Sequence, residues 1–595
     1  MIAAICGIVR FDNRKLSKDF ASSMLEKMPI PPNKLTQCIT LENASFALAC
    51  SDSYSNDFEQ EITLKCSKGL FVASGLVYND DTSDESPYSV LRKVWEGSSK
   101  TDLEQINGDC MYVGYDIQKN SIQLYESWGF SCLYYYHCES FLAFASHPYA
   151  FKCLPEIKMQ PNIELMNCIL HSMPLTEGES FWTGVTKMIP GTMVEIGAGG
   201  ILNMRTITSN NINRPTGTSN TNNNYEMNQE NFLKVFRNAI NQRIDVSYSS
   251  SSTLSAGLDS GAITALLSEK YQDANKALTT WTSASAYLDE SFAPIGCLKD
   301  ETELACLVAK SMPNIRHEVV DSMDTSVINA IRLIVYITGC PQYSPANFYW
   351  IEDILSRVHA SSSERLFIGQ CGNGTISWTP TQPKLFPKKT FFPKTSMKNF
   401  LKLIRFRSSN KIKSALSGKI SPASVTQRQL IEMHKSIFDL WYHLSLWSGV
   451  EVVDPTLDIE LIKLLLSFPE NAYYQDGVDR RLLREGMRGI LPDKVRLNRK
   501  RGQQSSDIVA RVKRQAKQVR KALALISTSE LARENLDLNS MSDILEEIVG
   551  TDLKTLDYET AKSIDNECNL KLLRGISAGL FLAQFDTDIA LGTPI

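Results

Sequence analysis

The segment Leu254-Ser255-Ala256-Gly257-Leu258-Asp259-Ser260-Gly261 lies near the middle of a chain of 595 residues. It crowds small and hydroxylated side chains between a short strand expected over 248–254 and an apolar helical pattern at Ile263, Leu266, Leu267 and Tyr271. A strand-to-helix turn of that composition can hold phosphate. Gly257 lets the backbone turn tightly, Ser255 and Ser260 supply hydroxyls, and the first helical turn offers unpaired N–H groups with a partial positive charge. Asp259, set among so many donors, suits a magnesium ligand beside that phosphate. Turns of this kind also serve packing alone, so the chemistry depends on the elements around it.

Those elements fall into two halves. Over 1–205, runs of β-branched and aromatic residues at 2–11, 45–50, 69–77, 110–116, 121–125, 133–136 and 141–146 read as strands, with helices expected over 16–28 and 88–95. This is the pattern of an α+β domain built on stacked antiparallel sheets. Residues 206–231 are a run of Asn, Ser and Thr with little to bury, the expected linker. From 232 to 595 a second domain follows. Its strands at 277–282, 317–320 and 366–369 alternate with helices at 304–312 and 328–337, which predicts a parallel doubly wound sheet binding ligands at the carboxyl ends of its strands. From Leu430 onward the chain reads as helical.

The length calls for at least two cores. A net charge of −4 gives no overall attraction to nucleic acid or anionic membrane. No apolar run reaches membrane-spanning length, and the opening residues are too short for a signal peptide, so a cytoplasmic protein is expected. Fourteen cysteines lie scattered without metal spacing, as small buried apolar residues would.

The central turn resembles the Ser-Gly-Gly-x-Asp-Ser pyrophosphate loop of the ATP pyrophosphatases, with Ala256 in place of one glycine. Around it, motifs in order resemble the asparagine synthetase family. Cys6-Gly7-Ile8-Val9, Ile106-Asn107-Gly108-Asp109, Glu126-Ser127-Trp128-Gly129 with Leu133-Tyr134-Tyr135, Phe144-Ala145-Ser146 and Ile189-Pro190-Gly191 match its N-terminal glutaminase half. Asp300-Glu301 with His317-Glu318, Gly449-Val450-Glu451 through Asp458, Leu491-Pro492 and Asn498-Arg499-Lys500 match its synthetase half.

The resemblance implies ATP at Leu254, Ser255, Ala256, Gly257, Leu258, Asp259 and Ser260, with Gly369 and Gln370 close by. It implies Mg²⁺ on Asp259 and, more weakly, on Asn373. Lys500 would neutralise charge near the α-phosphate. Several departures accompany it. Cys6, the nucleophile of an active glutaminase, is preceded by five residues, so it would need a processed N-terminus to free its amine as a base. Ser74-Gly75 replaces the family's Asn-Gly, and no acidic residue near Ser89-Val90 stands ready for the glutamine amino group. Gln370 and Asn373 replace carboxylates. The N-terminal domain is therefore expected to keep its fold without its activity.

The implied reaction is adenylation of a carboxylate with release of pyrophosphate, then displacement of AMP by an amine. Relatives with a silent N-terminal domain, the β-lactam synthetases and lasso-peptide cyclases, use an amine already in the substrate, and the departures favour a peptide substrate of that kind. A glutamine-hydrolysing asparagine synthetase acting on aspartate is the alternative; a binding module without activity is a third reading. The stretch 381–420 carries eleven Lys and Arg and no acidic residue. It reads as a solvated surface insertion or as a docking surface for an acidic or extended peptide partner.

Overall fold

The computed structural model describes residues 1–12, 14–30, 34–51, 64–78, 85–99, 102–207, 225–246, 248–380, 427–589 and 591–592; the basic stretch 381–420 and most of the expected linker lie outside them. The strands of the first half are β1 (Ala3–Arg10), β2 (Lys34–Thr40), β3 (Ala44–Ser51), β4 (Gly69–Val77), β5 (Gly108–Asp116), β6 (Ser121–Glu126), β7 (Tyr134–His137), β8 (Phe141–Ala145), β9 (Thr186–Lys187), β10 (Thr192–Gly197) and β11 (Gly200–Thr206). They form two antiparallel sheets, ordered β2-β3-β1-β8-β7-β9 and β11-β10-β6-β5-β4. The Phe20–Glu26 helix packs on β1 and β3, the Pro87–Glu96 helix on β4, and β1 and β3 face β4, so the layers run helix, sheet, sheet, helix. Both faces of each central strand are covered, which is why β1, β3 and β5 read as continuous apolar runs.

The second half begins earlier than its apolar pattern suggests. Its first helix is Tyr225–Asn241, reaching back into the expected linker, while β11 extends to Thr206. The strands β12 (Ser250–Thr253), β13 (Leu278–Ser283), β15 (Ile315–Val320), β16 (Arg365–Phe367) and β17 (Glu451–Val453) make one parallel sheet ordered β15-β13-β12-β16-β17; β14 (Cys297–Leu298) and β18 (Arg501–Gly502) pair separately. The fifth strand lies inside the region expected to be helical throughout. Three residues flanked by the Phe438–Ser448 and Ile459–Ser467 helices give too short a run for a period of two to show.

The central strand β12 is built of hydroxyls. Buried among helices, they pair with one another: Ser251 Oγ donates to Ser363 Oγ at 2.9 Å, and Ser252 Oγ lies 2.9 Å from Thr264 Oγ1 on the following helix. Small paired side chains let the Leu258–Asp273 helix sit close on the sheet, which fixes the turn between them. Among the described residues no helix is long and apolar enough to cross a membrane.

Candidate functional site

From β12 the chain builds β13 and β15 to one side, then β16 and β17 to the other. The turns leaving β12 and β16 therefore diverge at one point on the carboxyl edge, the place where open parallel sheets bind ligands. A cleft of about 810 Å³ opens there, lined by 254–260, Gly369, Gln370, Asn373, Glu301, Arg480 and Lys500. The structure thus gathers every residue expected to bind nucleotide.

The turn is internally braced. Ser255 N–H donates to Ser260 Oγ at 3.0 Å, the two hydroxyls lie 2.9 Å apart, and Gly257 N–H donates to Ser255 Oγ at 3.0 Å. Gly257 has φ −75° and ψ 147°, an ordinary conformation, so the expectation that glycine is needed for the turn itself is corrected. The reason for glycine is proximity: a Cβ there would stand 3.0 Å from Ser255 Oγ. Ala256 N–H donates to Glu301 Oε2 at 2.8 Å, so a carboxylate already rests on this turn. Burial pushes the Glu301 carboxyl up, and the Ala256 and Ser255 donors oppose that shift.

Asp259 is buried on the first turn of the Leu258–Asp273 helix, packed against the glycine loop after β16. A Cβ on Gly372 would lie 2.5 Å from Asp259 Cγ, and one on Gly369 3.3 Å from its Cβ. Burial pushes its carboxyl up, partly opposed by the Arg480 charge and by Ser377, and its Oδ1 has no hydrogen-bond partner among the described residues. An orphaned buried carboxylate oxygen beside a phosphate-binding turn fits Mg²⁺ carried in on a nucleotide, which needs one or two carboxylates and takes its other ligands from phosphate and water. Among the described residues no group of three His, Cys, Asp or Glu could hold a metal without such help. Asn373, the weaker metal candidate, is turned elsewhere: its Oδ1 accepts from Arg480 Nη2 at 3.2 Å, and an oxygen facing a guanidinium is a poor magnesium ligand.

Lys500 reaches the cleft because β18 pairs in parallel with β14, Cys297 opposite Arg501. Asn498 fixes its main chain, accepting from Lys500 N–H at 3.0 Å and donating to Lys500 O at 2.9 Å. Gly502 lets this segment close on Glu301, whose Cδ would be 2.1 Å from an added Cβ. Asp300, one residue before the N-cap of the Thr302–Lys310 helix, accepts from Thr302 N–H and Oγ1, while Glu301 faces the turn. His317 lies on the edge strand β15 against Thr280 Oγ1, and neither it nor Glu318 lines the cleft. Arg480 also lines the cleft. It stands at φ +52°, a left-handed conformation unusual for a side chain of its size, between Asn373 and Asp259.

In the first half the structure separates Cys6 from the element it would need. Cys6 is fully buried on β1, its Sγ turned to Ala21 O at 3.4 Å, and burial pushes its thiol well up. Ser74-Gly75 instead faces the start of the strand. Ala3 N–H donates to Ser74 Oγ at 2.9 Å, and Gly75 N–H donates to Met1 O at 2.8 Å. Three residues along a strand reverse the face, so Cys6 cannot share Ala3's surroundings. Tyr442, from the Phe438–Ser448 helix of the second half, donates to Ala3 O at 2.6 Å and stands against Ser74 and Ser146.

A family model described as asparagine synthase matches residues 231–554. A solved structure described as the allosteric regulatory enzyme of purine biosynthesis is 9% identical, over 55% of this chain and 81% of that one, with a TM-score of 0.23. No curated protein matches the chain.

Proposed function

Because the chain belongs to the asparagine synthase family, whose members are ATP-dependent amide-forming ligases, we propose that it adenylates a carboxylate and joins it to an amine already present in a peptide substrate, as lasso-peptide macrolactam cyclases do. The observation that carries this reading is the residue opposite Ser74-Gly75. It is Ala3, with the Tyr442 hydroxyl on its carbonyl, while Cys6 lies on the other face of β1 with its Sγ turned to Ala21 O, away from that element.

In this reading the substrate carboxylate attacks the α-phosphorus, the bond to the bridging oxygen breaks, and pyrophosphate leaves. The neutral amine nitrogen then bonds to the acyl carbon as AMP departs, one proton passing from it to solvent and the other staying on the amide nitrogen. The Ser255 and Ser260 hydroxyls and the amides of the turn hold the phosphates. A phosphate oxygen that takes the Ala256 N–H displaces Glu301 from it. Asp259 would hold Mg²⁺, which would offset charge on the leaving pyrophosphate, and Lys500 would neutralise charge that builds at the α-phosphate. The basic stretch 381–420 suits an acidic or extended peptide.

The test is ATP–pyrophosphate exchange by the whole protein with free aspartate as the sole carboxylate, run beside a glutaminase assay. Mg-ATP should bind, with neither exchange nor glutamine hydrolysis, and Cys6→Ala should change nothing. Exchange with aspartate would restore asparagine synthesis as the activity; failure to bind Mg-ATP would restore the binding-module reading.

A further inference from the structure

The cleft continues past the phosphate turn to a wall that the family match, ending at 554, does not reach. Asp565, Asn566, Asn569, Leu570 and Arg574 line it. They lie where the Tyr558–Asn566 helix passes into a π-helical stretch, Glu567–Leu573. Such widened turns are rare and occur frequently at functional sites.

Asp565 is 8% exposed, and its Oδ1 has no hydrogen-bond partner among the described residues. Burial pushes its carboxyl up to about 6, with Asn569 opposing the shift, so the group is mainly ionised at neutral pH. The cations around it are engaged elsewhere. Arg574 donates to Tyr343 O, Ile169 O and Ser172 Oγ; Lys562 pairs with Glu559 and Lys571 with Glu567. A buried carboxylate in this state is costly unless a cation meets it. Asn569 Nδ2 donates to Asp565 O at 2.9 Å, which leaves its side-chain oxygen as an acceptor one turn from the carboxylate. Tyr343, Trp350 and Trp441 line the same cleft, giving apolar surface to whatever carries the cation.

We propose that Asp565, with the side-chain oxygens of Asn566 and Asn569, forms the subsite for the primary ammonium of the amine substrate. The proposal rests on the amide-forming reading above. A primary ammonium has three donors for three acceptors, and the aromatic lining selects an amine on an alkyl or peptidyl carrier over free ammonia. Here Asp565 binds and places the ammonium, which loses one proton to solvent before its nitrogen attacks the acyl carbon.

The experiment is calorimetric titration of the full chain, with and without a non-hydrolysable Mg-ATP analogue, using n-butylammonium chloride and its neutral counterpart 1-butanol as probes. Wild type should bind butylammonium at least tenfold more tightly than butanol. Asp565→Asn should lose that preference while keeping its melting temperature and its affinity for the nucleotide. No preference in wild type, or an undiminished preference in Asp565→Asn, overturns the proposal; the wild-type comparison stands whether or not the variant folds. Failure of the nucleotide analogue to bind would count against the amide-forming reading, while a butylammonium preference would still support the cation site.

Discussion

Replacing Gly372 with alanine tests whether Asp259 serves the nucleotide through its packing on the glycine loop. The new methyl would stand 2.5 Å from Asp259 Cγ, 2.8 Å from its Cβ and 2.9 Å from Oδ1. Carbon atoms in contact settle at about 3.5–4.0 Å, so the carboxyl must retreat by about 1 Å. Its room to do so is limited, because Asp259 is buried and Gly369 also lies against it: a Cβ there would stand 3.3 Å from Asp259 Cβ. Overpacking of this kind costs about 1–3 kcal/mol. If that cost falls on the Mg²⁺-binding geometry, affinity for a Mg-ATP analogue drops by about 5- to 150-fold. Calorimetry with and without excess EDTA separates the effect. The variant should lose affinity chiefly for the magnesium form, and the metal-free nucleotide should bind nearly as before. An unchanged affinity for the magnesium form, together with a lowered melting temperature, would show that the strain is real but that Asp259 does not hold the ion.

Gly261→Ala is the matched control: its Cβ would make ordinary contacts with Leu491 Cδ2 at 3.6 Å, Leu491 Cδ1 at 3.7 Å and Val308 Cγ2 at 4.0 Å, so helix propensity should raise stability by about 0.4–1 kcal/mol, read from the urea midpoint. Lys500→Ala should lower pyrophosphate release by about 10²–10³-fold, with Mg-ATP affinity changed only a few-fold; equal losses in both would assign Lys500 to binding instead. Asp458→Ala strips the buried Arg243 guanidinium of a partner 2.9 Å away, and Asn107 of one 2.7 Å away, and should cost about 3–5 kcal/mol in chemical denaturation. Glu126 is fully buried, and burial pushes its carboxyl up to about 8, opposed by the Lys187 charge and the Leu133 N–H, with the Asp439 charge adding to the rise. Its folded value lies above its unfolded one, so its contribution is whole below the unfolded value near 4.5 and is lost as pH rises through about 8. Glu126→Gln should therefore gain stability over wild type between pH 5 and pH 8, by thermal melts; a gain that shrinks with rising pH would refute this.

Much of the fold was legible because it rests on local patterns. β4 falls on the expected residues, and the turn between β12 and its helix could be read from composition alone. β12 itself was harder, since Ser250-Ser251-Ser252-Thr253 carries no apolar signal and its burial is satisfied by hydroxyl pairs that only the fold supplies. Cys6 drew attention through its motif, yet which side of β1 faces Ser74-Gly75 depends on register against a strand about seventy residues away. Arg480 and Asp565 are ordinary charged residues in sequence. A left-handed backbone at one and an unpartnered buried oxygen at the other give them their interest, and both are properties of the folded chain.

Arg574 ties the cleft wall to Ile169 O and Ser172 Oγ of the first half, Trp182 Nε1 donates to Gly339 O at 2.7 Å, and one apolar cluster takes in buried residues from Ile2 to Leu591. Deleting the N-terminal half would thus expose core rather than surface and slacken the wall that holds Asp565. The first half therefore could not be removed by a single truncation without cost to the second. A smaller ligase would first require a redesigned Phe438–Ser448 helix, with polar residues where Phe438, Trp441 and Tyr442 now meet the neighbouring half.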